Sequence, residues 1–179
     1  MKVKTHAILK LLWSIIVTTL FLGHAIPCFA DEENDKPRLA IQYEQLPTQK
    51  IFKGNPVTPK LKNATTRRYR TVILEGAKKG PNFAGEYTIV EYGCGSCCNA
   101  FFIVNARTGK VFIPPFFTTC HYEEGVPGYG STGLGFHINS NLLVATGARN
   151  ERGGGEYYYM WKNDRLSLLK ALEERSNNK

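Results

Sequence analysis

"EYTIVEYGCGSCCNAFFIV", residues 86 to 104, decides the fold. Its first part alternates, with Tyr87, Ile89 and Glu91 opposite Thr88, Val90 and Tyr92, which is the two-residue period of a β-strand. Ala100 to Val104 (AFFIV) is an apolar run of strand length. Between them "GCGSCC", residues 93 to 98, places three cysteines and two glycines in six positions. The cysteines therefore sit in a loop between two strands.

Strand signals continue on the C-terminal side. Asn105-Ala-Arg-Thr-Gly109-Lys followed by Val111-Phe-Ile reads as a hairpin whose Gly109 takes positive φ. A Pro/Gly-rich stretch runs from Pro114 to Gly135. Strand character returns at Leu142 to Thr146, at Tyr157 to Trp161, and at Leu166 to Leu169 after a KNDR turn. On the N-terminal side, Asn63 reads as the N-cap of one helix in which Tyr69, Val72, Ile73 and Ala77 fall at helical spacing. Lys78, Lys79, Gly80 and Pro81 supply its basic last turn and its stop. Asn63-Ala64-Thr65 is also a glycosylation sequon, relevant only in a eukaryotic secretory pathway. Six or seven short strands behind one helix argue for a mainly β, antiparallel domain, because no helices separate the strands as a parallel sheet requires. A β-sandwich and a propeller-like meander both fit that pattern.

The compartment follows from the first thirty residues. Lys2, Lys4 and Lys10 precede an uncharged run, Leu11 to Gly23, and Cys28 and Ala30 sit at the −3 and −1 positions of a cleavage site. That is the layout of a secretory signal peptide. The apolar run of 13 residues is short against the roughly 20 that span a bilayer, which argues against a retained signal anchor, and no stable membrane insertion is expected after cleavage. The expected organisation is a signal at 1–30, an extended or disordered lead-in at 31–62, one domain at 63–172 and a polar tail at 173–179. The lead-in is polar, carries Pro37, Pro47, Pro56 and Pro59, and has no sustained period. The mature chain holds 20 basic residues against 15 acids, a charge of +5 spread along its length. No basic stripe is interleaved with aromatics, so nucleic acid is not an expected partner.

Four cysteines remain after cleavage: Cys94, Cys97, Cys98 and Cys120. Cys94-Gly-Ser-Cys97 has the C-x-x-C form of a thiol–disulfide oxidoreductase. That chemistry uses a thiolate stabilised at a helix N-terminus, and here a strand follows instead. A metal site built from these cysteines and His121 would need adjacent Cys97 and Cys98 as tetrahedral ligands, an awkward geometry. An even cysteine count in an exported domain favours structural disulfides, with three connectivities open.

"GPNFAGEYTIVEYGCGSCC", "FIVNARTGKVF" and "GARNERGGGEYYYMWKNDRLSLL" together resemble a family of uncharacterised exported bacterial proteins. Its pattern is PNFAG-x-Y, GCG-x-x-C, a V-[DN]-x-x-TGKV hairpin and a late YYY-x-W segment, matched here from about Tyr69 to Leu169. The family carries cysteines at the positions of Cys94 and Cys98, and Cys97 departs from it. The resemblance thus implies Cys94–Cys98, with Cys120 left as the partner of Cys97. It implies no activity.

Catalytic signals are sparse. No G-x-S-x-G, H-E-x-x-H or Walker-type pattern occurs, and no cofactor motif. His121 reads as a loop residue beside Glu123 and Glu124, and His137 as structural near a strand start. Ser131 and Thr132 have no evident base to activate them. Two glycine-rich segments remain as binding candidates: Gly125 to Gly135 with Tyr129, and Ala148 to Gly155 with Arg149, Asn150 and Arg152 ahead of Tyr157. Tyr157, Tyr159 and Trp161 share a strand face that reads as core rather than ligand platform. The functional expectation is a non-catalytic binding module for a protein or envelope ligand. The alternatives are an oxidoreductase using the cysteine cluster, or a lysozyme-inhibitor-like protein, the latter suggested only by small size, export and a Gly-rich loop before a Tyr. N-terminal sequencing of the secreted form is expected to begin at Asp31; retention of residues 1–30 would overturn the export reading.

Overall fold

The computed structural model describes residues 40–120 and 132–173. The signal segment, residues 31–39 of the lead-in, the loop 121–131 with His121 and Tyr129, and residues 174–179 lie outside the described residues. Among the described residues two short α-helices, α1 (Ala64–Arg68) and α2 (Arg70–Lys78), precede nine strands. Strands β1 (Tyr87–Gly95), β2 (Cys98–Asn105), β3 (Val111–Phe112), β4 (Thr118–Thr119) and β7 (Ala148–Arg149) form one antiparallel sheet, ordered β1-β2-β4-β7 with β3 also on β2. Strands β5 (Gly133–Phe136), β6 (Leu142–Thr146), β8 (Gly155–Lys162) and β9 (Arg165–Glu173) form the second, in the order β5-β6-β8-β9.

The two sheets share a core. Ile89, Phe101 and Ile103 of the first sheet pack with Leu143, Ala145, Tyr157, Tyr159 and Trp161 of the second, joined by Phe83 and Phe116. The aromatic face of β8 is therefore core, as its composition suggested. The apolar run AFFIV does not alternate because β2 is covered on both faces. Phe102 and Val104 point away from the second sheet and meet Ile73 and Ala77 of α2. Phe102 and Ile103 are both fully buried, and truncating either side chain would cost about 2–5 kcal/mol.

The expected helix from Asn63 is interrupted at Tyr69, where ψ of +23° leaves the helical region and splits it into α1 and α2. Asn63 does cap its start: its side chain accepts from Thr66 N at 2.9 Å, and Thr66 Oγ1 accepts from Asn63 N at 3.2 Å. Ile73 and Ala77 are buried and Tyr69 and Val72 pack beside them, so the predicted apolar stripe faces the first sheet. The hairpin after β2 forms as its residues dictate. Asn105 Oδ1 accepts from Arg107 N and Thr108 N, and Gly109 takes a φ of +70°.

The lead-in from residue 40 is laid along the domain. Ile41, Tyr43 and Leu46 cover Leu142, Val144 and Tyr158 on the outer face of the second sheet. Its backbone then donates in turn to Asn139 O, Gly85 O, Ala106 O and Gly109 O before reaching Asn63. These hydrogen bonds supply the partners that a segment without its own secondary structure lacks. Among the described residues no helix is long and apolar enough to cross a membrane.

The cysteine loop is a tight turn. Gly95 pairs with Cys98, leaving only Ser96 and Cys97 between the strands, with Cys97 at a φ of +52°. The bonds are Cys94–Cys98, with Cα atoms 5.1 Å apart, and Cys97–Cys120, at 5.4 Å, both within the disulfide range. The two cysteines of the C-x-x-C form are thus bonded to other partners and not to each other. Disulfides of this kind mark a chain that folds outside the reducing cytoplasm. Cys97–Cys120 closes the longer loop, with a sequence separation of 23 against 4. On chain entropy it stabilises by about 3 kcal/mol, against about 2 kcal/mol for Cys94–Cys98. Thiol titration of the denatured, unreduced secreted protein should find no free thiol, and a Cys97→Ser/Cys120→Ser variant should melt lower than Cys94→Ser/Cys98→Ser. Two or more titratable thiols in that sample, or the reverse order of melting, would contradict this.

Candidate functional site

The segment Ala148 to Gly155, expected as a glycine-rich loop, is strand in part. Ala148 and Arg149 pair with Thr119 and Thr118 of β4. Two residues give no readable period, so β7 exists only because β4 is there to receive it. Asn150 and Glu151 then take φ of +52° and +63°, and Arg152 N donates to Arg149 O, which closes a two-residue turn. Arg149 and Arg152 thereby become facing partners in a short antiparallel bridge.

The turn borders a cleft of about 630 Å³ lined by Arg149, Asn150, Arg152, Gly153, Tyr157 and Glu173. Four of the five residues singled out from the sequence for binding are thus brought together; Tyr129 lies outside the described residues. Arg149 is held from two directions. Its Nη1 donates to the Tyr159 hydroxyl at 2.8 Å, and its guanidinium lies 4.7 Å from the centre of the Tyr157 ring. Tyr159 in turn stacks on Phe116, with ring centres 4.8 Å apart. The hydrogen bond to Tyr159 raises the pKa of Arg149 further, so it remains a cation despite partial burial. Burial raises the Tyr159 pKa, while the same hydrogen bond opposes that shift.

Asn150 lines the cleft and also bonds to the segment before β4. Its backbone donates to Phe117 O at 3.0 Å, and its Oδ1 accepts from Phe117 N at 3.1 Å. The side chain is committed to holding the segment before β4, so it shapes the cleft wall.

Glu173 was assigned from sequence to a polar tail. It is the last residue of β9 and pairs with Gly155. Its arrival depends on that glycine, whose φ is +144° and whose absent Cβ would stand 2.1 Å from Leu172 O. A Glu at the end of an exposed, leucine-rich strand carries no signal of a site; the pairing partner of Gly155 is the missing information. Tyr159 reads as core from sequence, and the bond between its hydroxyl and Arg149 carries no sequence signal. Ring and hydroxyl part company here, the ring buried and the oxygen available to a cation.

The other sequence candidates lie elsewhere. His137 is exposed in the turn after β5, its ring 6.1 Å from that of Tyr43. Thr132 donates to Thr118 Oγ1 at 2.9 Å, which occupies its hydroxyl within the fold. A second cleft, near the α1 N-terminus, carries Lys60, Lys62 and Lys110. Its Lys110 is paired with Asp164 at 3.1 Å, and Tyr87 donates to the other oxygen of that carboxylate. No family model matches the chain, and neither does any curated protein or solved structure.

Replacing Gly155 by Ala forces a side chain into disfavoured backbone and against the Leu172 carbonyl, and should cost about 2 kcal/mol or more in urea denaturation. An unchanged denaturation midpoint would mean that β9 does not hold Glu173 at the cleft in this way.

Proposed function

We propose that this is an exported cell-envelope protein, periplasmic or extracellular, that binds a ligand and does no chemistry on it. The resemblance to a family of exported bacterial proteins and the signal-like first thirty residues support export. The binding role rests on one observation: residues from β7, the turn after it, β8 and the end of β9 converge on a single cleft around an immobilised arginine. The scaffold beneath is rigid, with a core on one side and a disulfide-anchored strand on the other, and ligand sites tend to be loops on such scaffolds. Under this reading both disulfides serve structure, and their reduction weakens the module without any catalytic cycle.

The test is a fragment screen followed by protein-observed NMR on the secreted, disulfide-intact protein. The expected result is a set of shift changes confined to residues 149–157 and 173, weakened about tenfold in an Arg152→Ala variant. Hits clustered on the lysine-bearing cleft or scattered over the surface would defeat the assignment. Turnover of a disulfide substrate that is lost in Cys94→Ser with the fold intact would replace it with the oxidoreductase reading.

A further inference from the structure

We infer that the cleft recognises an oxyanion, a carboxylate or phosphate group carried by the ligand and gripped between Arg149 and Arg152. This rests on the binding reading above and specifies its chemistry. Three features of the site lead to it.

The first is the state of Arg149. It is half-buried, yet among the described residues it makes no ion pair within contact distance, and its hydrogen-bond acceptor is a neutral phenol. One of its five N–H groups is engaged by Tyr159 Oη, and the others have no acceptor among the described residues. A guanidinium held over a ring and pinned at one end is pre-organised, so a bidentate anion orders little more on binding.

The second is the juxtaposition of Arg149 and Arg152. They face each other across a narrow antiparallel bridge, where like charges are unfavourable. The turn that joins them places two non-glycine residues in left-handed backbone, a further cost. Repulsion across the bridge becomes attraction once an anion sits between the two groups.

The third is the placement of the carboxylates. Glu151, at the tip of the turn, makes no ion pair with either arginine, and Glu173 acts on Arg149 only from beyond contact distance. Neither neutralises the pair at close range. Glu173 lines the same cleft, and its negative charge disfavours a ligand carrying anionic charge at both ends. A single terminal carboxylate or phosphate fits that field.

The probes are acetate, inorganic phosphate and acetamide, the last a neutral isostere of acetate. Each is titrated into ¹⁵N-labelled, disulfide-intact protein at matched ionic strength while the Arg149 Nε–H signal is followed. Acetate or phosphate should shift that signal saturably and acetamide should not, the tighter anion identifying the class of headgroup. Arg149→Lys keeps the charge but loses the fork, and should weaken the anion about tenfold. Exposed Arg152→Gln should weaken it severalfold with an unchanged backbone spectrum, and Arg165→Gln on β9 should have no effect. A response to acetamide equal to that of acetate would leave the cleft as a binding site and overturn the oxyanion. Absence of saturation with either anion, or an undiminished response in Arg152→Gln, would overturn it as well.

Discussion

Everything in this fold follows from a strand that must be covered twice. Residues 100 to 105 of β2 are all buried, so neither face of the first sheet can remain in water. One face takes the second sheet and the other takes α2. The second sheet carries the same demand through Leu142, Val144 and Tyr158, and there the lead-in supplies the cover. The described residues are thus arranged in four layers, and the two outer ones are drawn from the residues before β1. This explains why a proline-rich segment without periodicity is ordered: its apolar side chains are sealing a sheet, and its backbone finds hydrogen-bond partners along the way.

Covalent bonds matter where this packing runs out. Strands β4 and β7 have two residues each, too short to be held by burial or by ladder hydrogen bonds alone. Cys120 follows β4 directly and is bonded to Cys97 in the turn of the first hairpin, and Cys120 N also donates to Cys97 O at 3.0 Å. That tie fixes β4, β4 receives β7, and β7 begins with the pair that carries Arg149. The path from disulfide to guanidinium is four residues of strand and one cross-strand pairing. A disulfide can therefore set the geometry of the cleft around Arg149 from outside it.

Legibility from sequence tracked the range of the interactions involved. Strands β1, β2, β6 and β8, the Asn63 cap and the Asn105–Gly109 turn are local, written in a two-residue period or in the reach of one side chain to a nearby amide. The break at Tyr69, the short strands β4 and β7, and the glycine-rich β5 carry no such local record and exist through tertiary pairing. For the site, Arg149, Arg152 and Tyr157 could be marked because they lie within nine residues of one another. Asn150 lines the cleft, and its Oδ1 also accepts from Phe117 N, a contact over 33 positions that no local pattern shows. Glu173 and the Tyr159 hydroxyl depended on knowing which strand ends meet.

Strand β9 shows how one element can close a site without becoming a liability. It lies at the edge of its sheet, and Leu168, Leu169 and Leu172 are all more than two-fifths exposed, an invitation to edge-to-edge association. The register against β8 shifts between Tyr158 and Tyr159, with Leu168 opposite Tyr159 and Lys170 opposite Tyr158, so Leu169 is a bulge. A bulge bends and twists an edge and breaks the regular spacing of donors that another strand would need. It also changes parity. Without it Arg165 and Glu173 would share a face; with it Arg165 falls opposite Lys162 on one face and Glu173 opposite Gly155 on the other. The extra residue that blunts the edge is the same one that turns the last carboxylate toward the face on which Tyr157 and Tyr159 lie, and so toward Arg149.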